Sequence, residues 1–207
     1  MKKIAIYALT KKGADLARFV ARQIGSVIRE TAEAKDVPRV ELFFHKRCGN
    51  AEQKAVLFEN LSSIVAGHFA TYDGLVFITA CGIAVRVVAP LLSSKVTDPA
   101  VVVLDQNGKY CISLVSGHLG GANMLARKIA LITGGEPVIT TATDTENIIS
   151  IDVLARQKGM EIENISALKS VTGAMLAGEP VQVFDPEDRL EIHRNFADGV
   201  HLIVVED

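Results

Sequence analysis

The 207-residue chain is 49% hydrophobic and 22% charged, with a formal net charge of −2. That balance lacks the basic excess of a bulk nucleic-acid binder, and no apolar run approaches the roughly 20 residues that span a bilayer. Three widely spaced cysteines, Cys48, Cys81 and Cys111, form no CxxC pair. A disulfide framework or zinc site is not indicated, and a soluble protein of the reducing cytoplasm is expected, without nucleic-acid or membrane partners. The basic start MKKIAIYALT is too short in its apolar part for a secretory leader.

Strand-like and helix-like signals alternate along the chain. KIAIYAL (3–9) predicts a strand, and Leu16, Val20, Ile24 and Val27 recur at helical spacing after it. VELFF (40–44) predicts a second strand and residues 51–66 a helix. GLVFIT (74–79) predicts a buried strand, followed by the helical IAVRVVAPLL that Pro90 should end or kink. AVVVLD (100–105) and KYCISLV (109–115) flank Gln106-Asn107-Gly108, and the Asn-Gly pair predicts a hairpin. A helix to about Thr133 follows, closed by Gly134 and Gly135, and PVIT (137–140) predicts another strand. Beyond it, residues 147–159 and 164–178 read as helices, PVQVFD (180–185) and HLIVVE (201–206) as strands, and PEDRLEIHRNFADG as a loop.

This alternation predicts a three-layer α/β/α fold with a mostly parallel, doubly wound, flavodoxin-like sheet. It covers residues 1–143, and a smaller α/β part covers 144–207. In such sheets ligands bind beyond the carboxyl ends of strands, where loops enter helices. Four oddly polar or glycine-rich stretches follow predicted strands: 10–13, 79–82, 116–123 and 140–144. Their convergence on one site is expected, although short polar loops are also what any such fold requires.

The stretch 116–123, SGHLGGAN, is the most distinctive. Leu125, Ile129 and Ile132 form a buried stripe behind it, with Asn123 and Arg127 on the opposite side. Gly120 and Gly121 permit close backbone approach, and a helix start offers free N–H groups and partial positive charge to an anion. His118 stands at its mouth, a residue type suited to proton transfer. Two readings stand open, an anion pocket and a tight turn whose histidine packs locally. The chain has no GxGxxG after its first strand, no GxxxxGK[ST] and no GxSxG around Ser116. Its five histidines (45, 68, 118, 193 and 201) show no HxH or HxxxH spacing, so no protein-bound metal is expected. Cys81, at a predicted helix start, reads either as a reactive thiol or as a small buried residue.

Four segments in order resemble the CbiG family of cobalamin biosynthesis, the cobalt-precorrin-5A hydrolases. They are Gly-Ile-x-x-Arg at 82–86, Lys-x-x-Asp-Pro-Ala-Val at 95–101, Ser-Gly-His-x-Gly-Gly-Ala-Asn at 116–123 and Thr-Thr-Ala-Thr-Asp at 140–144. Thr10 and Gly13 also fit the family pattern. The resemblance implies an enzyme that opens the lactone of cobalt-precorrin-5A and releases acetaldehyde, giving cobalt-precorrin-5B. The cobalt belongs to the corrinoid polycarboxylate substrate, and no cofactor is expected. Its implied binding residues are Thr10, Lys11, Gly82, Arg86, Lys95, Ser116, Gly117, Gly120, Gly121, Asn123, Thr141 and Thr143. A mechanism consistent with it has His118 as general base, the Gly120 and Gly121 N–H groups holding the oxyanion, and His118 and Asp144 transferring protons afterwards. Asp98, before Pro99, reads either as part of the family pattern or as the start of a turn. The family's further C-terminal domain is not found here, so a truncated or naturally short form is expected. Partners could then include that domain as a separate protein, or other cobalamin-pathway enzymes. The alternatives are a non-catalytic corrinoid-binding subunit or regulatory module, and a domain for another anionic metabolite.

Overall fold

The structure is a computed structural model that describes residues 1–31, 38–48, 55–192 and 201–205. The chain divides into two compact units, Met1–Ile139 and Thr140–Asp207.

Strand β1 (Lys3–Ala8) is an inner strand of the first unit, and α1 (Lys11–Thr31) follows it. Strand β2 (Arg39–His45) leads through a 3-10 turn toward β3 (Ala55–Phe58), α2 (Leu61–His68), β4 (Gly74–Ile78) and α3 (Cys81–Val88). A 3-10 turn containing Pro90 extends α3, as the proline predicts. Next come β5 (Ala100–Leu104), β6 (Tyr110–Val115), α4 (Ala122–Thr133) and β7 (Glu136–Val138). The seven strands form one sheet in the order β3-β2-β1-β4-β5-β6-β7. The parallel strands β2-β1-β4-β5 follow the order of a flavodoxin-like winding, β3 adds one strand outside β2, and β6 and β7 extend the other edge.

The all-buried runs of β4 and β5 explain why these strands read as unbroken apolar sequence: both faces are covered. Period-two alternation sends Ile4, Ile6 and Ala8 to one face, where Ala14, Ala17 and Val20 of α1 and Leu125, Ala126 and Ile129 of α4 pack. Ala5 and Tyr7 face the other layer, with Val65 of α2 and Ala84 and Val87 of α3. Each fully buried Val, Ile or Phe in these layers contributes roughly 1.5–3 kcal/mol.

Two details differ from the sequence reading. The predicted helix over 51–66 is a strand and a later helix, with 51–54 outside the described residues. Ala55–Phe58 pairs with β2, and Asn60 starts α2 by accepting the Ser63 N–H at 3.0 Å. The β-rich Val-Leu-Phe run and a strong N-cap outweigh the apparent helical period. The second is how far the reversal at the expected hairpin carries. Strands β6 and β7 run against the other five, because the Asn107-Gly108 hairpin makes β6 antiparallel to β5 and β7 is parallel to β6. The Asp105 carboxylate shapes that turn by accepting the N–H groups of Asn107 (2.7 Å) and Tyr110 (2.8 Å).

The second unit holds α5 (Ala142–Thr145), α6 (Ile151–Gln157), α7 (Ile165–Leu176) and a parallel pair, β8 (Val181–Phe184) with β9 (His201–Val204). The helix predicted from 147 begins only at Ile151, since Asn147 takes a left-handed backbone at φ 52° that no helix continues. The predicted loop 186–199 is described only as far as 192.

Candidate active site

The reversal of β6 separates the predicted site residues. Thr10 and Lys11 begin α1, and Gly82 lies in the first turn of α3, both beyond the carboxyl ends of parallel strands. The 116–123 loop leaves β6 beside the start of β5, where Val115 pairs with Val101. It therefore lies at the opposite rim of the sheet, roughly 15 Å away at about 3.3 Å per residue. Lys95, exposed in the segment leading to β5, belongs to this amino rim, and Arg86 is exposed along α3 between the two. Thr141, Thr143 and Asp144 fall in the second unit. The expected convergence of four loops is corrected accordingly: following a strand does not fix the rim when the strand's direction changes.

The carboxyl rim is internally tied. Thr10 caps α1 by accepting the Gly13 N–H at 3.1 Å and reaches Gln106 at 3.3 Å, while the Lys12 ammonium donates to Asn107. Lys11 and Lys12 put positive charge at the positive end of a helix dipole, an arrangement that opposes helix stability. Cys81 is half-buried at the start of α3 and packs against the core.

The amino rim carries the more unusual chemistry. Ser116 has a left-handed backbone, φ 58°, rare for a residue with a side chain. Its Oγ is buried with no hydrogen-bond partner. Gly120 approaches this residue so closely that a Cβ there would stand 2.3 Å from the Ser116 Cβ and 2.7 Å from its carbonyl oxygen. Gly121, at φ 86°, turns the chain into α4. An orphaned hydroxyl costs about 1–3 kcal/mol, and strain of this kind concentrates where a protein binds or reacts.

Two expectations about this loop need correction. The Gly121 N–H is already spent on the His118 carbonyl at 2.9 Å, so it is not an open oxyanion donor. The N–H groups of Ala122 (3.1 Å) and Asn123 (3.0 Å) are likewise held, by the carbonyls of Ser116 and Gly117. Asn123 is buried at 6% exposure instead of lying on the solvent side. Its Oδ1 accepts the Ser113 hydroxyl at 2.6 Å, and a Cβ on Gly117 would stand 2.7 Å from the same atom. Asn123 therefore ties the loop to β6. Ser113 was missed in the sequence, although a lone polar residue at every-second spacing with Cys111 and Val115 was its signal. Asp98 is buried and accepts the Ser93 N–H with both carboxylate oxygens, at 3.1 and 3.0 Å, which favours the turn reading.

In the second unit the Thr141 hydroxyl donates to Asp144 Oδ2 at 2.6 Å, and Thr143 is buried. Among the described residues, no three of His, Cys, Asp and Glu group as metal ligands, and no helix is long and apolar enough to cross a membrane.

In doubly wound α/β units as a class, ligands bind where strand-end loops enter helices, and the strained 116–123 loop stands at such a junction. Residues 63–144 match the family described as "Cobalamin synthesis G N-terminal", and residues 149–202 match "Cobalamin biosynthesis central region". The chain belongs to the cobalamin biosynthesis G family, of which it carries the N-terminal and central regions. It is 38% identical over 183 residues to a cobalt-precorrin-5A hydrolase of Salmonella typhimurium, covering 87% of this chain and 47% of that one. It is 34% identical over 180 residues to the enzyme of the same name from Priestia megaterium, covering 86% and 46%. The chain thus spans about half the length of these curated relatives. A cobalamin biosynthesis protein G homologue from Sulfolobus solfataricus shares the fold, with a TM-score of 0.56 at 23% identity over 99% of this chain and 56% of that one.

Proposed function

We propose that this protein acts in cobalamin biosynthesis by opening the lactone of cobalt-precorrin-5A and releasing acetaldehyde to give cobalt-precorrin-5B. The observation that carries this reading is the naming of two relatives, 34% and 38% identical over most of the chain, for that activity. The geometry supports it through the strained 116–123 loop. The substrate is a cobalt-bearing polycarboxylate, and no separate cofactor is invoked.

In this reading water attacks the lactone carbonyl, with His118 as the base. Because the Gly121 N–H is engaged, the donor to the developing oxyanion in this reading is the Ser116 hydroxyl, which has no partner among the described residues. Lys95 on the same rim attracts a substrate carboxylate by a charge-assisted hydrogen bond. Later proton transfers fall to His118, and Asp144→Asn tests whether the second unit contributes one.

The test is to incubate the chain with cobalt-precorrin-5A and measure acetaldehyde. His118→Ala should abolish its release while leaving corrinoid binding in place; near-normal release by this variant would rule His118 out as the base. A second reading is a corrinoid-binding module inactive alone. Binding without acetaldehyde, with release restored by adding the remainder of a relative, would establish that reading instead.

A further inference from the structure

Within the second unit, α6, the segment 160–164, the start of α7 and β9 enclose a cavity of about 650 Å³. Four consecutive residues, Leu202, Ile203, Val204 and Val205, line it. Neighbouring side chains of a strand point to opposite faces, so a cavity touching all four lies against the strand's edge. Among the described residues, β8 is the one strand paired with β9. The Val205 N–H donates to the Phe184 carbonyl at 2.9 Å. Ile203 and Val205 therefore turn their main-chain groups toward β8, while Leu202 and Val204 turn theirs into the cavity.

The exposed side chains share one face beside that edge. Phe184, Leu202 and Val204 are 59%, 53% and 47% exposed on one face of the pair. Its other face packs on a small core of Val171, Ala174 and Val181. A two-stranded sheet is marginal without further strands or cover, and an open edge beside apolar side chains is a template for another strand.

We infer that this cavity receives an extended segment that adds to β9 as a third strand, supplied by the part of the longer family members that this chain does not span. Two observations select this occupant. The curated relatives contain about as much sequence again, and the matched regions are the N-terminal and central ones, so further chain accompanies this unit in them. The site also offers a row of main-chain donors and acceptors, which an extended peptide satisfies along its length. The inference rests on family membership and is independent of the proposed activity.

The experiment uses this chain and overlapping 15-residue peptides covering the unmatched part of the Salmonella typhimurium relative. A tethered strand sees an effective concentration near the millimolar range, so binding is measured to about 1 mM. One peptide, or two neighbours, should bind and slow hydrogen exchange at the Leu202 and Val204 amides. Val204→Pro removes an N–H aimed at the cavity and none aimed at β8. It should weaken binding about tenfold or more, whereas Val204→Ala, which keeps the N–H, should weaken it less. Unchanged circular dichroism in both variants shows that β8 and β9 persist; if Val204→Pro unfolds the unit, N-methylation of the peptide replaces it as the test of edge bonding. No binding up to the limit, or binding that ignores both changes, overturns the inference. A dimer of the chain alone that Val204→Pro dissociates would make a second copy the occupant and overturn it equally.

Discussion

Ser116 holds a left-handed backbone and an unpartnered hydroxyl, two costs at one residue. Ser116→Gly removes both, so unfolding in urea should shift toward higher stability by on the order of 1 kcal/mol, while acetaldehyde release falls. A loss of stability would show that the strain is absent. Gly120→Ala should act oppositely, costing about 1–3 kcal/mol because the new methyl meets Ser116 backbone as well as side chain. His68 gives a pH prediction. It meets the Tyr7 hydroxyl through Nδ1 at 2.8 Å and packs on Phe43 and Tyr72. Burial, and then the charge of Lys3, hold its imidazole below the ordinary range, partly countered by Glu41. The unfolded chain then takes up the proton first. Stability is full above the ordinary histidine pKa of about 6.5 and falls as the pH drops through that value toward the folded one. His68→Asn should flatten this slope in urea titrations between neutral and mildly acidic pH.

Among the elements, α2 depends on a cap. Asn60→Ala should destabilise the protein by about 1 kcal/mol, read as a shift in the urea midpoint. The same element shows what the sequence could and could not convey. Lys3–Ala8, Gly74–Ile78 and Ala100–Leu104 were legible because burial on both faces leaves an unbroken β-branched or aromatic run. The Asn-Gly hairpin was legible from turn chemistry. Ala55–Phe58 was not, because four residues of an edge strand carry too little period to separate them from a neighbouring helix. The direction of β6 followed from the hairpin itself. Its consequence for the site was missed because the rule that ligands gather at carboxyl ends was applied without carrying the reversal through.

Across the whole molecule, the motifs at 82–86, 95–101, 116–123 and 140–144 were legible as family segments, but their spatial grouping was not. Only the pairing of strands shows that Ser116 and Lys95 share one rim while Thr10 and Lys11 occupy the other. The buried tie from Ser113 to Asn123 was equally hidden, since it needs the helix phase and the strand phase together. The reversed hairpin also bears on electrostatics. Helices α1 and α4 lie on the same face but start from opposite rims, and Thr133 at the end of α4 comes as close as Leu16 of α1 to a Cβ placed on Gly108. The negative pole of α4 therefore shares a rim with the start of α1 and offsets a fraction of the charge of Lys11 and Lys12, whereas the positive pole of α4 lies at the rim of Ser116 and His118. A polyanion approaching this face meets positive charge at both rims, from two lysines at one and from a helix pole at the other, and added salt should slow its capture at either.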